Sequence, residues 1–147
     1  MSPPWPIVIC GQSSAVMRVV MEFSKPEFDP IHAILSPATG AAEIPTLLRG
    51  EKPSSSDPDA ADLGTHNYSK KPVVIMMGGA YGEEDAKAMR EACKGHLNVP
   101  WILFDKEKPI GLEPGPEYAK IVIGRGKELV KKLEEEDKFG KDGIYYY

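Results

Sequence analysis

The chain has 147 residues, 41% of them hydrophobic, which is enough for one domain with a single core of ordinary density. Its 18 basic and 22 acidic side chains leave a net charge of −4, and no basic cluster is longer than a Lys-Lys pair. Binding to DNA or RNA needs a concentrated basic surface, so the composition excludes nucleic acid as a partner.

The sequence contains no recognisable targeting or membrane-spanning segment. The apolar stretch near the start is short and follows no positive region, and no window approaches the roughly 20 apolar residues that a membrane span needs. We therefore expect a soluble, cytoplasmic protein without a membrane partner. The two cysteines, Cys10 and Cys93, lie in apolar patterns typical of small buried hydrophobes, and the three histidines are isolated, so we predict neither a disulfide nor a metal site.

The first half of the chain predicts two strand-helix units. Residues 7–10 form a β-branched run that indicates a strand, and apolar residues then recur at helical spacing as far as Phe23. The second unit is the apolar run IHAIL, closed by Pro37, followed by a short helix in GAAEIPTLLRGE that ends at Gly50.

A long polar segment separates the two halves. Residues 51–71 are rich in Ser, Asp, Pro and Gly and offer almost nothing to bury, which predicts an exposed, flexible loop. A loop of this length within a domain is either a flexible insertion or a functional lid, and both interpretations stay open.

The second half predicts two further strand-helix units. PVVIMM is typical of a strand buried on both faces, and EEDAKAMREACKG is a helix that ends at Gly95. VPWILF is the fourth strand, and Pro116 suits the first turn of a last helix. The segment AKIVIG, residues 119–124, could instead be a fifth strand; we favour a helix because the helical period continues from Tyr118 to Leu133.

Four alternating strand-helix units predict an α/β fold for residues 1–147. The expected architecture is a small three-layer, Rossmann-like domain, with helices on both faces of a four-stranded parallel sheet in the order 2-1-3-4. Because this order reverses direction between strands 1 and 3, a ligand is expected in the crevice beyond the carboxyl ends of those strands. The loops GQSSAVM (11–17) and GGAYGEED (78–85) meet there.

The first crevice loop has features of an anion-binding turn. Gly11 permits a tight turn and Gln12 follows it, while Ser13 and Ser14 can present hydroxyls near the free N–H groups of the first helix. A phosphate group suits this arrangement. Helix capping alone also explains the two serines, so both interpretations stay open.

The second crevice loop adds backbone donors and an aromatic ring. Gly78 and Gly79 leave backbone amides open to a ligand, and Tyr81 is placed to stack on a nucleobase, nicotinamide or flavin ring. The acidic residues 83–85 suit the start of the following helix and carry no predicted acid-base role.

The segments IVICGQSSAVMRVV, PVVIMMGGAYG and VPWILFD together resemble the core of NAD(P)-binding Rossmann proteins, especially atypical members similar to short-chain dehydrogenases. In that family the first loop reads G-x-x-G-x-x-G; here Gly11 holds the first position, and Ser14 and Met17 hold the second and third. The resemblance implies NAD or NADP as cofactor. The family has a carboxylate at the end of the second strand that anchors the cofactor ribose, whereas here that strand is followed by Ser36. Ser36, with Arg49, suits a 2′-phosphate better than a bare ribose, so the resemblance implies NADP over NAD.

A looser resemblance connects the chain to flavodoxin-like proteins, whose third strand is also followed by an aromatic residue in an acidic loop, as in AYGEED. It implies FMN, with GQSSA holding the phosphate. No catalytic motif of a known enzyme class is complete: the Tyr-x-x-x-Lys of short-chain dehydrogenases is absent, and G-x-S-x-G is not met.

The chain closes with the tyrosine triplet 145–147, which we expect to pack on the domain or across a subunit interface, and we predict a homodimer. The predicted function is binding of a small-molecule nucleotide or dinucleotide in an accessory or atypical oxidoreductase role. The alternative is a protein-interaction module that keeps the fold without a ligand, and an FMN binder is the third interpretation.

Overall fold

The centre of the molecule is a five-stranded, fully parallel sheet in the order β2-β1-β3-β4-β5. A computed structural model describes residues 2–54 and 57–147 of the chain. In chain order the elements are β1 (Trp5–Cys10), α1 (Ser14–Ser24), β2 (Phe28–Ile34), α2 (Pro37–Leu48), β3 (Val74–Met77), α3 (Glu83–Ala92), β4 (Pro100–Leu103), α4 (Pro116–Glu135) and β5 (Gly143–Tyr146). A short 3-10 turn, Pro58–Ala60, lies in the long central loop.

The predicted α/β fold class is confirmed, with one strand more than expected. The order 2-1-3-4 is present, and β5 extends it by pairing in parallel with β4. This strand is formed by GIYY, which sequence analysis interpreted only as packing aromatics. Pairing with β4 gives partners to backbone groups that would otherwise lie at an open sheet edge.

The last helix settles the alternative left open at residues 119–124. This segment lies inside α4, which begins at Pro116 as predicted and continues to Glu135. The helical interpretation is therefore confirmed. Across the described part of the chain, no helix combines the length and apolar character that crossing a membrane requires.

Two apolar layers cover the two faces of the sheet. On one face, α1 and α4 contribute Met17, Val20, Val122 and Val130, among others. On the other face, α2 and α3 contribute residues such as Ile44, Leu47, Ala86 and Met89. The central strands β1 and β3 are buried along their whole length, as expected for strands covered by helices on both faces.

The long central loop covers the outer edge of β2. Thr65 and His66 donate backbone hydrogen bonds to the carbonyls of Pro30 and Ile31, at 2.9 and 3.0 Å. Contrary to expectation, the loop also buries apolar side chains, including that of Leu63, which is 3% exposed. Residues 55 and 56 of the predicted flexible segment 51–71 lie outside the described residues. The described part of this loop contributes none of the residues that line the crevice discussed below.

Two buried polar side chains of β2 hold the same loop. The Asp29 carboxylate accepts hydrogen bonds from Thr65, Asn67 and Lys70. His32 lies between the loop and α2, because one ring nitrogen is 2.8 Å from the Tyr68 hydroxyl and the other is 2.7 Å from Glu43 Oε1. These contacts pair polar groups that burial would otherwise penalise.

Candidate functional site

A small cavity lies at the carboxyl ends of β1 and β3, where the strand order reverses. Its volume is about 160 Å³. The lining comes from three places: the end of β1 with α1, the loop after β3, and the inner side of α4 with the end of β5. These residues are Ile9, Cys10, Gly11, Gln12, Ser13, Val16, Met17, Val20, Met76, Gly78, Gly79, Ala80, Pro114, Tyr118, Val122 and Tyr147. The two predicted crevice loops therefore do meet at one cavity.

Ser13 caps α1 and lines the cavity at the same time. Its Oγ accepts a hydrogen bond from the Val16 N–H at 3.3 Å, and its carbonyl accepts from Met17 N–H at 2.9 Å. Gln12 is exposed at the cavity rim, whereas Ser14 is the first residue of α1 and does not line the cavity. The positive end of the α1 dipole thus faces this rim.

Gly11 makes room for the side chain of Met17. A Cβ at position 11 would lie 2.5 Å from Met17 Sδ, a distance that real contacts do not reach. Met17 is itself 3% exposed, so its thioether packs over the turn at the position where the Rossmann pattern has its third glycine. The glycine at position 11 therefore accommodates a buried methionine, and this side chain takes space that a close-packed dinucleotide turn keeps open.

Gly78 and Gly79 form the opposite wall. The Gly78 N–H donates to the Cys10 carbonyl at 2.8 Å and ties the loop after β3 to the end of β1. Gly79 faces α4 and Phe104: a Cβ there would lie 3.8 Å from the Tyr118 hydroxyl oxygen and 3.5 Å from the Phe104 ring. A side chain larger than alanine at position 79 would therefore project toward the cavity wall formed by α4.

Tyr81 does not lie over the crevice, in contrast to the expectation from sequence. The turn after β3 is closed by a hydrogen bond from Tyr81 N–H to the Gly78 carbonyl, and the ring packs in the core between the sheet and helices α2 and α3. Its hydroxyl donates to the Gly11 carbonyl at 2.8 Å. Burial raises the pKa of Tyr81, so the phenol stays a neutral donor that joins the two crevice loops.

Ser36 also lies apart from the cavity. It is the N-cap of α2, where its Oγ accepts from Thr39 N–H at 3.1 Å and donates to Thr39 Oγ1 at 2.9 Å. Arg49 lies at the other end of the same helix and contacts Glu51 and Thr46. Binding of the 2′-phosphate of NADP by Ser36 and Arg49 together is therefore inconsistent with their positions at opposite ends of α2.

The cavity lining is neutral and mainly apolar. Among the described lining residues, none carries a charged side chain, and the polar atoms come from Gln12, Ser13, Tyr118, Tyr147 and backbone amides. The Cys10 thiol is fully buried, and burial raises its pKa, so it stays protonated and is a poor nucleophile. Such a lining suits an uncharged group better than two phosphates.

Several lining residues were not foreseen as site residues. Tyr118 and Val122 lie on the inner side of α4, which the helical period had indicated, yet nothing local in the sequence connects that helix to the crevice. Tyr147 follows β5 directly and reaches the cavity because β5 pairs with β4. The tyrosine triplet 145–147 stood out in the sequence, but the place where Tyr147 packs depends on β5, a strand that was not predicted.

The fold and the cavity define a class of protein: a doubly wound parallel α/β domain with a small neutral cavity at the β1/β3 switch point. No family model matches the sequence, and no solved structure matches it. The chain is 33% identical over 144 residues to Kojic acid related protein 6 of Aspergillus oryzae, a match that covers 96% of this chain and 85% of the relative. The chain belongs to the family of that protein.

Proposed function

We propose that this protein binds a small molecule that places one uncharged planar ring in the cavity between α1, the loop after β3 and α4. The observation that carries this proposal is the cavity itself, which has about 160 Å³ and an apolar lining. An apolar protein cavity of about 150 Å³ is known to hold one benzene molecule, so the space corresponds to a single ring.

A nucleotide is the ligand that we propose first. A pyrimidine base or a nicotinamide ring would occupy the cavity, and the phosphate would lie outside, near Gln12 and the first N–H groups of α1. A helix N-terminus attracts an anion through its dipole and its unpaired amides. NAD and NADP stay in the proposal with only their nicotinamide ring in the cavity, in the reduced form, which carries no charge on the ring. FMN stays as the third candidate, because sheets with the order 2-1-3-4-5 include flavodoxins, which bind FMN at this switch point, but only one end of its three-ring flavin would enter a cavity of this size.

The proposed role is that of an accessory binding protein or an atypical oxidoreductase. The lining offers hydroxyl, amide and thiol groups, and burial raises the pKa of both the Cys10 thiol and the Tyr147 hydroxyl, away from neutral pH. Binding and orientation of a ring are therefore what these side chains supply. A protein-interaction module that keeps the fold without a ligand is the alternative, and it predicts no binding at this cavity.

A thermal-shift panel tests the proposal with NADH, NADPH, nicotinamide mononucleotide, FMN and kojic acid, and with ATP as a nucleotide whose two-ring base is too large for the cavity. Kojic acid is included because the Aspergillus relative is named for it and because it is a single six-membered ring. A ligand at 100 times its dissociation constant stabilises a protein by about 2.7 kcal/mol, or roughly 5–11 °C at this chain length.

In Gly79→Val the valine side chain would project into the space between the loop after β3 and α4, so this variant should abolish the ligand-induced rise in melting temperature. Gly124→Val is the matched control, because position 124 has no heavy atom within 4 Å of its Cβ and lies outside the lining. Unchanged melting temperatures with every compound would support the interaction module instead. A shift that survives Gly79→Val would place the binding site elsewhere.

A second proposal concerns association: we infer that the protein forms a homodimer through β5. This strand is the last of the sheet as described, and Tyr146 on it is 46% exposed, which is unusual for a large aromatic side chain. Light scattering after size-exclusion chromatography should give twice the chain mass of 16.1 kDa, and Tyr146→Lys should return it to one chain mass. A single chain mass at every concentration tested would refute this proposal.

A further inference from the structure

We propose that Tyr147 is a specificity-determining residue that restricts the cavity to ligands with a single ring. This inference rests on the proposed function above, and it adds the residue that sets the size limit. The side chain of Tyr147, which directly follows β5, lines the cavity and packs in the apolar layer formed with α1 and α4.

Tyr147 is fixed at both ends, so it forms a rigid wall. Its backbone N–H donates to the Leu103 carbonyl at 3.0 Å, and its carbonyl accepts from Asp105 N–H at 2.8 Å. Its hydroxyl donates to the Met77 carbonyl at 2.8 Å, at the end of the central strand β3. A ring held by backbone at one end and by hydroxyl at the other cannot swing aside without breaking buried hydrogen bonds.

Packing around the ring reinforces this position. Tyr147 is 4% exposed, and its ring meets the Phe104 ring edge to face, with centroids 5.9 Å apart. Burial raises the pKa of Tyr147, which keeps the hydroxyl protonated and able to donate to Met77 at all physiological pH values. The wall therefore persists whether or not a ligand is bound.

The side chains that line the cavity differ in flexibility. Met17 and Met76 are unbranched thioethers that adapt to the shape of a ligand, whereas Tyr147 is planar and anchored. On this proposal, a second fused ring that stays inside the cavity, and does not project from its mouth near Gln12, would have to enter the volume of the Tyr147 side chain. Replacing this side chain with a smaller one should join its volume to the cavity, and the enlarged cavity should accept two fused rings.

Phenol and 2-naphthol are suitable probes, since they differ by one fused ring. Binding can be followed in the purified full chain through the carbon-13 signals of the methionine methyl groups. Met17 and Met76 line the cavity, while Met89 lies on the opposite face of the sheet and serves as an internal control. In the wild type, phenol should shift the Met17 and Met76 signals, and 2-naphthol should bind at least tenfold more weakly.

Tyr147→Ala should raise the affinity for 2-naphthol at least tenfold relative to phenol, and Tyr147→Leu provides the same test with less loss of core volume. Tyr147→Phe keeps the ring and should keep the wild-type preference. An unchanged preference in a folded Ala or Leu variant, with phenol still binding, would overturn the role of Tyr147 and leave the proposed function intact. If neither probe shifts Met17 or Met76 in any variant, the cavity takes no ring and the proposed function fails together with this inference.

Discussion

At the scale of single residues, His32 is a buried titratable group outside the cavity. It is 3% exposed and contacts Glu43 and Tyr68 through its two ring nitrogens. A neutral ring satisfies both contacts, since Nε2–H donates to the Glu43 carboxylate and Nδ1 accepts from the Tyr68 hydroxyl. Burial lowers the pKa of His32, and the adjacent Glu43 only partly offsets this effect.

The lowered pKa of His32 predicts a loss of stability in mild acid. The unfolded chain takes up a proton near pH 6.5 that the folded protein resists, so the free energy of unfolding should fall as pH drops below about 6.5. The slope for one proton is at most about 1.4 kcal/mol per pH unit. Urea unfolding at several pH values between about 7.5 and 5.5 measures this change in the free energy of unfolding.

His32→Gln should flatten the pH dependence of the free energy of unfolding. His96 does not contact Glu43 or Tyr68, so the control His96→Gln should keep that pH dependence. Asp29 does not interfere in this range. Its burial raises the pKa, but the hydrogen bonds from Thr65, Asn67 and Lys70 lower it further than burial raises it, so its contribution is lost only at more acidic pH. An identical pH slope in wild type and His32→Gln would contradict the assignment.

Two glycines with positive φ allow the energetic cost of backbone strain to be measured separately from the cost of a steric clash. Gly64 (φ 87°) and Gly95 (φ 84°) are similarly strained for any other residue. A Cβ on Gly64 would lie 2.9 Å from the Pro30 carbonyl of β2, whereas a Cβ on Gly95 meets nothing within 4 Å. We predict that Gly95→Ala costs about 1–2 kcal/mol and that Gly64→Ala costs about 1–3 kcal/mol more.

Chemical denaturation of the two variants checks this difference. Equal costs would mean that the central loop does not press on the edge of β2, and the account of how this loop protects the sheet edge would have to be abandoned.

At the scale of elements, α4 shows how a helix tolerates two glycines. Gly124 has no neighbour within 4 Å of a Cβ, so it weakens the helix without any packing benefit. Gly126 faces Met76 of β3, and a Cβ there would lie 2.8 Å from the Met76 methyl carbon. The second glycine therefore lets the helix approach the sheet closely, beside the wall of the cavity.

Alanine should stabilise the protein at position 124 but not at position 126. Gly124→Ala should stabilise the protein by about 0.5–1 kcal/mol through helix propensity alone. Gly126→Ala gains the same propensity but must displace Met76, so the protein should be no more stable than the wild type. Differential scanning calorimetry of both variants is the measurement, and equal stabilisation would show that α4 does not need the close approach.

At the scale of the whole molecule, the sheet is unequally protected from its centre to its edges. β1 and β3 are buried on both faces and paired on both sides, and the edge of β2 is covered by the central loop. β5 is only partly buried and is the last strand of the sheet as described. Local opening should therefore be easiest at β5, beside the Tyr147 wall.

Native-state hydrogen exchange should reproduce this gradient. Amides of β1 and β3 should exchange only through global unfolding, and amides of β5 should exchange through a smaller opening. Pairing of β5 in a dimer would slow its exchange in a concentration-dependent manner, so a dilution series separates the two effects. Exchange from β5 as slow as from β1 in dilute, single-chain samples would contradict the gradient.

Much of the fold was predictable because it depends on local patterns. The apolar runs of β1, β3 and β4, the helical period of α4 and the start of α4 at Pro116 all follow from neighbouring residues. The position of the cavity followed as well, since parallel strand order alone places the switch point between β1 and β3. Gly11, Gln12, Ser13, Gly78 and Gly79 were accordingly predicted beside it.

The side-chain chemistry of the site was less predictable. Tyr81 turns into the core because a backbone hydrogen bond closes its loop, and its hydroxyl then reaches the Gly11 carbonyl 70 residues away in sequence. Ser36 caps its own helix instead of reaching the crevice. Both outcomes depend on where partners from distant segments lie, which residue type and spacing do not specify.

The sequence alone determined the alternation of strands and helices, the start of α4 at Pro116 and the location of a crevice, because these depend on hydrophobic period, local backbone preference and chain connectivity. Only the tertiary structure decided that GIYY forms a fifth strand, that Met17 fills the space over Gly11 and that Tyr147 closes one side of the cavity. The reason is physical: the volume and charge of a cavity are set by side chains that converge from distant segments, and packing in three dimensions selects among conformations that are equivalent locally.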